Sequence, residues 1–203
     1  MTSKIGRIPW ISLSVGVLAL LIHAGGPACF ELFVWRADWP ASGAFWRIAS
    51  GHLVHVDGGH LLWDLSAFLL LGCYLERRDR RGLVWTLALS VLLAEAFLRA
   101  SGRFELYCGL SGVAMGLFVA VGWRFVGRGR LSSDPWLVGM GAAALAAAVG
   151  KLAWELLASE AVFVGTLADG YRVAVEAHAA GLLAATLSGW RWRWVGAPRS
   201  AVG

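Results

Sequence analysis

Charge is what this 203-residue chain has least of: only 15% of its residues are Asp, Glu, Lys or Arg. A soluble domain carries about 25%, so with 58% hydrophobic residues the bulk composition excludes an ordinary water-soluble globule. Cysteine is scarce too. Cys29, Cys73 and Cys108 have no metal-site spacing and form no disulfide framework. Cys29 and Cys108 fall toward one side of the chain's topology, without a spacing that pairs them. An internal repeat is missing, which argues against a transporter. The formal net charge is +5, but the arginines stand beside apolar stretches and not in one basic field. Topology explains them better than nucleic acid does.

What is there is long apolar sequence, with a mean hydropathy of +0.65. A span needs about 20 apolar residues, or about 17 at the short end. Six such stretches fit and leave little for anything else, so residues 1–203 read as a single all-α membrane domain of six transmembrane helices. They are expected at about 8–23, 60–76, 83–98, 109–125, 135–157 and 171–190. A non-helical connection at 24–58, rich in tryptophan, suits a loop half sunk in the headgroup region. Arg77-Arg78-Asp79-Arg80-Arg81 stops helix two, and Asp134-Pro135 is a start signal for helix five. Lys4, Arg7 and the small residues 24–29 would also suit a cleaved leader. With five more spans following, an uncleaved first helix is the simpler assignment.

Counting cations by side orients the chain. Lys4, Arg7, Arg77, Arg78, Arg80, Arg81, Arg124, Arg128, Arg130, Arg191, Arg193 and Arg199 fall on one side, against Arg36, Arg47, Arg99, Arg103, Arg172 and Lys151. Twelve against six makes both termini cytoplasmic under the positive-inside rule. His60, Ser111 and His178 then all fall within roughly the outer 10 Å of the bilayer, toward which His23, His52 and His55 also lie.

That shared depth gives the polar residues a meaning. Gly109-Leu110-Ser111-Gly112 alone suits helix packing, since Gly112 and Gly116 form GxxxG. A membrane serine can also bond a carbonyl one turn back. An intramembrane histidine, however, is a functional candidate by default. Ser111 and His178 at equal depth can form the hydroxyl–imidazole pair a serine nucleophile needs. His60 and Asp64 share a helix face one turn apart and can supply or orient a donor for an oxyanion, or can simply lock helix two. Burial makes a neutral Asp64, or one paired with His60, the expected state. Lys151 and Glu155, one turn apart on helix five, are expected to pair.

The set Trp46-Arg47, His55, His60 with Asp64, Gly109-Leu110-Ser111-Gly112, and Ala177-His178 with Gly181 resembles the rhomboid intramembrane serine proteases. The order and helix placement match from about residue 45 to 190. The runs Gly51-His52-Leu53-Val54-His55 and His60-Leu61-Leu62-Trp63-Asp64 look most like the rhombosortase branch. Members of that branch are taken to process proteins with Gly-Gly C-terminal tails. The resemblance implies Ser111 as nucleophile and His178 as general base, a dyad without a third carboxylate. It implies an oxyanion site from His60 and the Ser111 amide. Trp46, Arg47 and His55 would support the neighbouring structure, and Gly181 would let helix six approach helix four. Three positions differ from many rhomboids. Asp64 stands for asparagine, Met115 for an aromatic that stacks on the histidine, and Ala174 for a glycine.

The expected activity is hydrolysis of a membrane-anchored protein near the outer end of its transmembrane segment, in a prokaryotic inner membrane. The partners would be lipid and substrate helices. No cofactor and no metal is called for. The rivals are a metal or haem site on His52, His55, His60 and His178, and an inactive rhomboid-like protein that binds helices without cutting them.

Overall fold

The arginine-rich run ends helix two as its charge requires, but no loop follows it. α5 runs from Gly58 to Ser101, and within it Asp79 alone leaves helical geometry, at φ −153° and ψ 82°. The Asp79 carboxylate accepts the Gly82 N–H at 2.9 Å, so the residue that breaks one arm caps the next.

The computed structural model describes residues 8–158 and 172–189. Lys4, Arg7, Tyr171, Trp190, Arg191, Arg193 and Arg199, and with them the expected ends of helix six, lie outside the described residues. In chain order come α1 (Trp10–Ala24), α2 (Gly26–Phe33), β1 (Trp35–Arg36), α3 (Trp39–Ser42), α4 (Arg47–Ser50), a 3₁₀ turn (Gly51–Leu53) and α5. After α5 follow β2 (Leu106–Tyr107), α6 (Ser111–Ser132), α7 (Pro135–Ala158) and α8 (Val175–Gly189). With α5 counted as two arms, the described residues form six long helical rods.

α6 is the hub, packing against α5, α7 and α8. Its buried residues run from Gly112 to Gly129, around a cluster that joins Leu61, Phe68 and Leu75 of α5 to Leu117 and Val119 of α6. The outward faces are apolar as well: Leu70, Trp136 and Leu157 are 75%, 81% and 87% exposed. α5 and α7 are long and apolar enough to cross a membrane. α1 is held by a charge. Buried Glu76 of α5 accepts the Ile11 and Ser12 N–H groups at 3.1 and 2.8 Å and the Ser12 hydroxyl at 2.9 Å. A carboxylate there meets the unsatisfied amides and positive dipole end of α1.

The connection at 24–58 is not the non-helical loop its glycines and prolines suggest. It holds α2, α3, α4 and the 3₁₀ turn, and side chains from its later part close the end of α2. Arg47 donates to the Val34 and Glu31 carbonyls at 2.5 and 2.8 Å. The Trp46 indole donates to Leu32 O at 3.1 Å, and the Ser50 hydroxyl to Phe33 O at 2.8 Å. The orphan carbonyls at the end of α2 are thereby satisfied. β1 pairs antiparallel with β2, Trp35 opposite Tyr107, which ties this region to the residues that lead into Ser111. α6 also runs seven residues past the expected end at 125, to Ser132, carrying Arg128 and Arg130 within the helix.

Candidate active site

Ser111 opens α6 with no side chain capping it. The Ala114 N–H bonds the Leu110 carbonyl at 2.8 Å, so the amides of Ser111, Gly112 and Val113 have no acceptor within the helix. Donors of this kind at a helix start bind negative charge. Ser111 is half-buried, and its hydroxyl makes no hydrogen bond among the described residues.

The turn before it depends on glycine. Gly109 stands at φ 114°, a conformation only glycine adopts freely. A Cβ there would lie 2.7 Å from His60 Nε2 and 3.0 Å from Asp64 Oδ2. The backbone can therefore lie against the His60–Asp64 pair. Its N–H donates to Gly51 O at 3.2 Å, and its carbonyl accepts the Tyr107 hydroxyl at 3.0 Å. His52, left without a role by the protease reading of the sequence, has its Nδ1 3.2 Å from that same hydroxyl. Burial lowers its pKa from 6.5 to about 4, so the ring is neutral at pH 7. Burial likewise pushes the Cys108 thiol up to about 12. Cys29 and Cys108 are both free thiols.

His60 and Asp64 come together as their spacing predicts, His60 Nε2 3.1 Å from Asp64 Oδ2. His55 joins them, its Nε2 3.4 Å from the same oxygen and its Nδ1 3.2 Å from Leu53 O. Asp57 caps α5 by accepting the His60 N–H at 2.7 Å. Among the described residues the buried His60 Nδ1 has no hydrogen-bond partner, and Asp64 Oδ2 meets both histidines at ion-pair distance without hydrogen-bond geometry. His55, His60 and Asp64 each offer a ligand atom, all within 4.8 Å of one another, and could hold a metal ion. The four-histidine set of the rival reading is divided: His52 goes to Tyr107 and His178 to α7.

α8 meets α6 through glycine. A Cβ on Gly112 would lie 2.7 Å from the Ala177 carbonyl, and one on Gly181 would overlap the Gly112 carbonyl. This close approach is what small residues permit. His178 is 5% exposed and sits in the first turn of the described α8, which starts at Val175 and not near the expected 171. Its Nδ1 lies 2.6 Å from Glu155 Oε2 and 3.3 Å from Lys151 Nζ. Lys151 pairs with Glu155, as expected. Met115 is buried in the main apolar cluster, and Ala174 receives the His178 N–H at 3.4 Å.

Glu155 is the residue sequence reasoning missed at this place. Its signal was available, because an ionisable group in an apolar helix marks a functional site, but the nearby Lys151 gave it a sufficient partner. Glu95 went unnoticed too; it accepts the Trp35 and Trp39 indoles at 2.5 and 3.0 Å.

A family model described as Rhomboid domain matches residues 42–194. Comparison with curated proteins found no match. The family match covers well over half of the 203 residues, and the chain belongs to the rhomboid family, integral membrane proteins that include intramembrane serine proteases.

Proposed function

We propose that this rhomboid is an active serine endopeptidase in which Ser111 and His178 form the catalytic pair. The observation that carries the reading is the α6–α8 contact. Gly112 and Ala177 meet there backbone to backbone, with Ser111 one residue before the first and His178 one residue after the second. His178 Nδ1 faces a carboxylate, which leaves Nε2 to take a proton as the general base. Ser111 Oγ attacks the scissile carbonyl carbon as its proton passes to His178 Nε2. The tetrahedral oxygen rests on the Ser111 amide and on His60. The imidazolium then protonates the leaving amine, and water hydrolyses the acyl-enzyme by the same route in reverse.

Asp64 sets a condition on His60. With Nε2 on the carboxylate, Nδ1 is the nitrogen left to donate to an oxyanion. That requires one proton shared by the pair beyond a neutral imidazole facing an ionised carboxylate. Either a protonated Asp64 or a His60 imidazolium meets it. Trp46, Arg47 and His55 support this architecture, Met115 packs behind it, and Gly109, Gly112 and Gly181 permit the close approaches.

The whole chain is one domain, with six spans, both termini cytoplasmic and the site facing the outer side of a prokaryotic inner membrane. The twelve-to-six cation asymmetry supports that orientation. Its substrates are membrane proteins cut near the outer end of their anchor. The runs 51–55 and 60–64 favour Gly-Gly-tailed ones, as in rhombosortases.

Cleavage of a co-expressed Gly-Gly-tailed membrane protein is the test. Wild type cuts it, whereas Ser111→Ala and His178→Ala leave it intact; processing by both variants would overturn the dyad. A second reading rests on His55, His60 and Asp64 as three buried ligand groups. Under it, purified protein carries stoichiometric metal and activity disappears on chelation. Under the dyad reading, chelation leaves cleavage unchanged.

A further inference from the structure

We propose that Glu155 is a positioning residue for His178, so that this rhomboid works with a Ser–His–Glu triad; the inference rests on the serine protease reading above. α7 gives the first reason. It is the most outward-facing of the long helices, and among its residues only Gly141, Ala148 and Glu155 are buried. Two of these are small. The third is a carboxylate, 1% exposed, inside a helix apolar enough to cross a membrane. An isolated buried carboxylate is strongly unfavourable, so its retention calls for partners that use it.

The second reason is how its two oxygens are divided. Lys151 takes Oε1 from one turn away on the same helix. A salt bridge built only to neutralise Glu155 could stop there. Instead Oε2 reaches across to α8 and meets His178 Nδ1 at 2.6 Å, the length of a strong charge-assisted bond. His178 is itself 6% exposed at its side chain. Nδ1 has an acceptor-only carboxylate at 2.6 Å and a donor-only ammonium at 3.3 Å, and the nearer group favours a ring that donates. That tautomer carries its proton on Nδ1 and leaves Nε2 as the lone-pair nitrogen that a serine base requires.

A third point concerns charge during reaction. When Ser111 gives up its proton, His178 becomes an imidazolium, and Glu155 already lies against it with no reorganisation needed. Lys151 Nζ, 3.3 Å from Nδ1 and 21% exposed, can supply no acceptor to the ring. Its work is to hold the carboxylate in place from the rim. The balance of the step is that of a serine protease: one proton moves from Ser111 Oγ to His178 Nε2, and Glu155 neither gains nor loses one.

The test uses full-length protein in detergent micelles or liposomes, with a cleavable membrane substrate. Glu155→Gln is expected to lower kcat by up to about 10,000-fold, the loss seen when the orienting carboxylate of a serine protease is made an amide. KM should stay within about threefold, since the side chain meets only the histidine. Glu155→Asp should recover part of the loss, because a carboxylate survives at a longer reach. Lys151→Met should lose less than about tenfold, because the carboxylate still faces the ring. A Glu155→Gln enzyme with wild-type kcat, in an assay where Ser111→Ala is dead, overturns the triad and leaves the protease reading intact. Cleavage by Ser111→Ala overturns the reading beneath it. Nitrogen NMR of selectively labelled wild type needs no variant to fold. The resting His178 is expected as the Nδ1–H tautomer, and a resting Nε2–H tautomer contradicts the proposal.

Discussion

Two histidine–carboxylate pairs flank the start of α6, and they are built in different ways. His60 and Asp64 stand one turn apart on α5, at 3.1 Å, with His55 drawn to the same oxygen at 3.4 Å. His178 and Glu155 come from two helices, meet at 2.6 Å, and have a lysine on the outer oxygen. The first pair is looser and shares one carboxylate oxygen between two rings, while the second is tighter and has its lysine on the other oxygen. The difference matches two kinds of work. A donor for an oxyanion needs only to be near and protonated. A general base must hold one tautomer and one orientation through a proton transfer.

Separating the two sides gives the largest expected effect. Gly181→Val drives a side chain into the Gly112 carbonyl and must push α8 away. It should abolish cleavage and destabilise by about 1–3 kcal/mol or more, read by thermal unfolding in detergent. Gly127→Ala is the control, because nothing lies within 4 Å of a Cβ there, and it should leave both unchanged. An active Gly181→Val would break the account of the α6–α8 contact.

On the other side, His60→Ala removes one oxyanion donor and leaves the base in place. A loss of about 100- to 1,000-fold in kcat is expected, the usual effect of one such donor. An effect as large as that of His178→Ala would mean that His60 does more than donate. Asp64→Asn should be milder, within about threefold of wild type in kcat. An amide can donate to His60 Nε2 and leave Nδ1–H for the oxyanion, so complete loss of cleavage would contradict the requirement for a shared proton.

The sequence made these two pairs unequally visible. His60 and Asp64 were legible because helical periodicity alone puts positions four apart on one face. Glu155 and His178 are 23 residues apart, on α7 and α8, which each pack on α6 through glycine, Gly141 against Gly122 and Gly181 against Gly112, and no local rule joins them. Span lengths led to the expectation that the starts of helices four and six lie level, and the structure brings Gly112 of α6 against Ala177 of α8. The connection at 24–58 was misread because its helices are stabilised by distant donors. Arg47, Trp46 and Ser50 serve the end of α2, and only tertiary structure shows those bonds. The single-residue turn at Asp79 hid behind the arginines around it.

His52 offers the smallest effect and a useful contrast, since its ring faces a hydroxyl and not a carboxylate. Burial holds its pKa at about 4, against 6.5 when free. Between those values the unfolded chain binds more protons, so stability rises with pH through this window. The contribution is complete above pH 6.5 and fades as pH falls toward 4. About 3 kcal/mol is the order expected from a shift of this size. Unfolding followed from pH 7 to 4 should show the slope in wild type and less of it in His52→Gln, with cleavage at pH 7 little changed.

The most direct test of the central claim is covalent capture of the nucleophile. Purified wild-type protein treated with a fluorophosphonate and mapped by mass spectrometry should carry the adduct on Ser111. His178→Ala should carry almost none. An adduct on another residue, or one on Ser111 that forms equally fast without His178, would contradict the account.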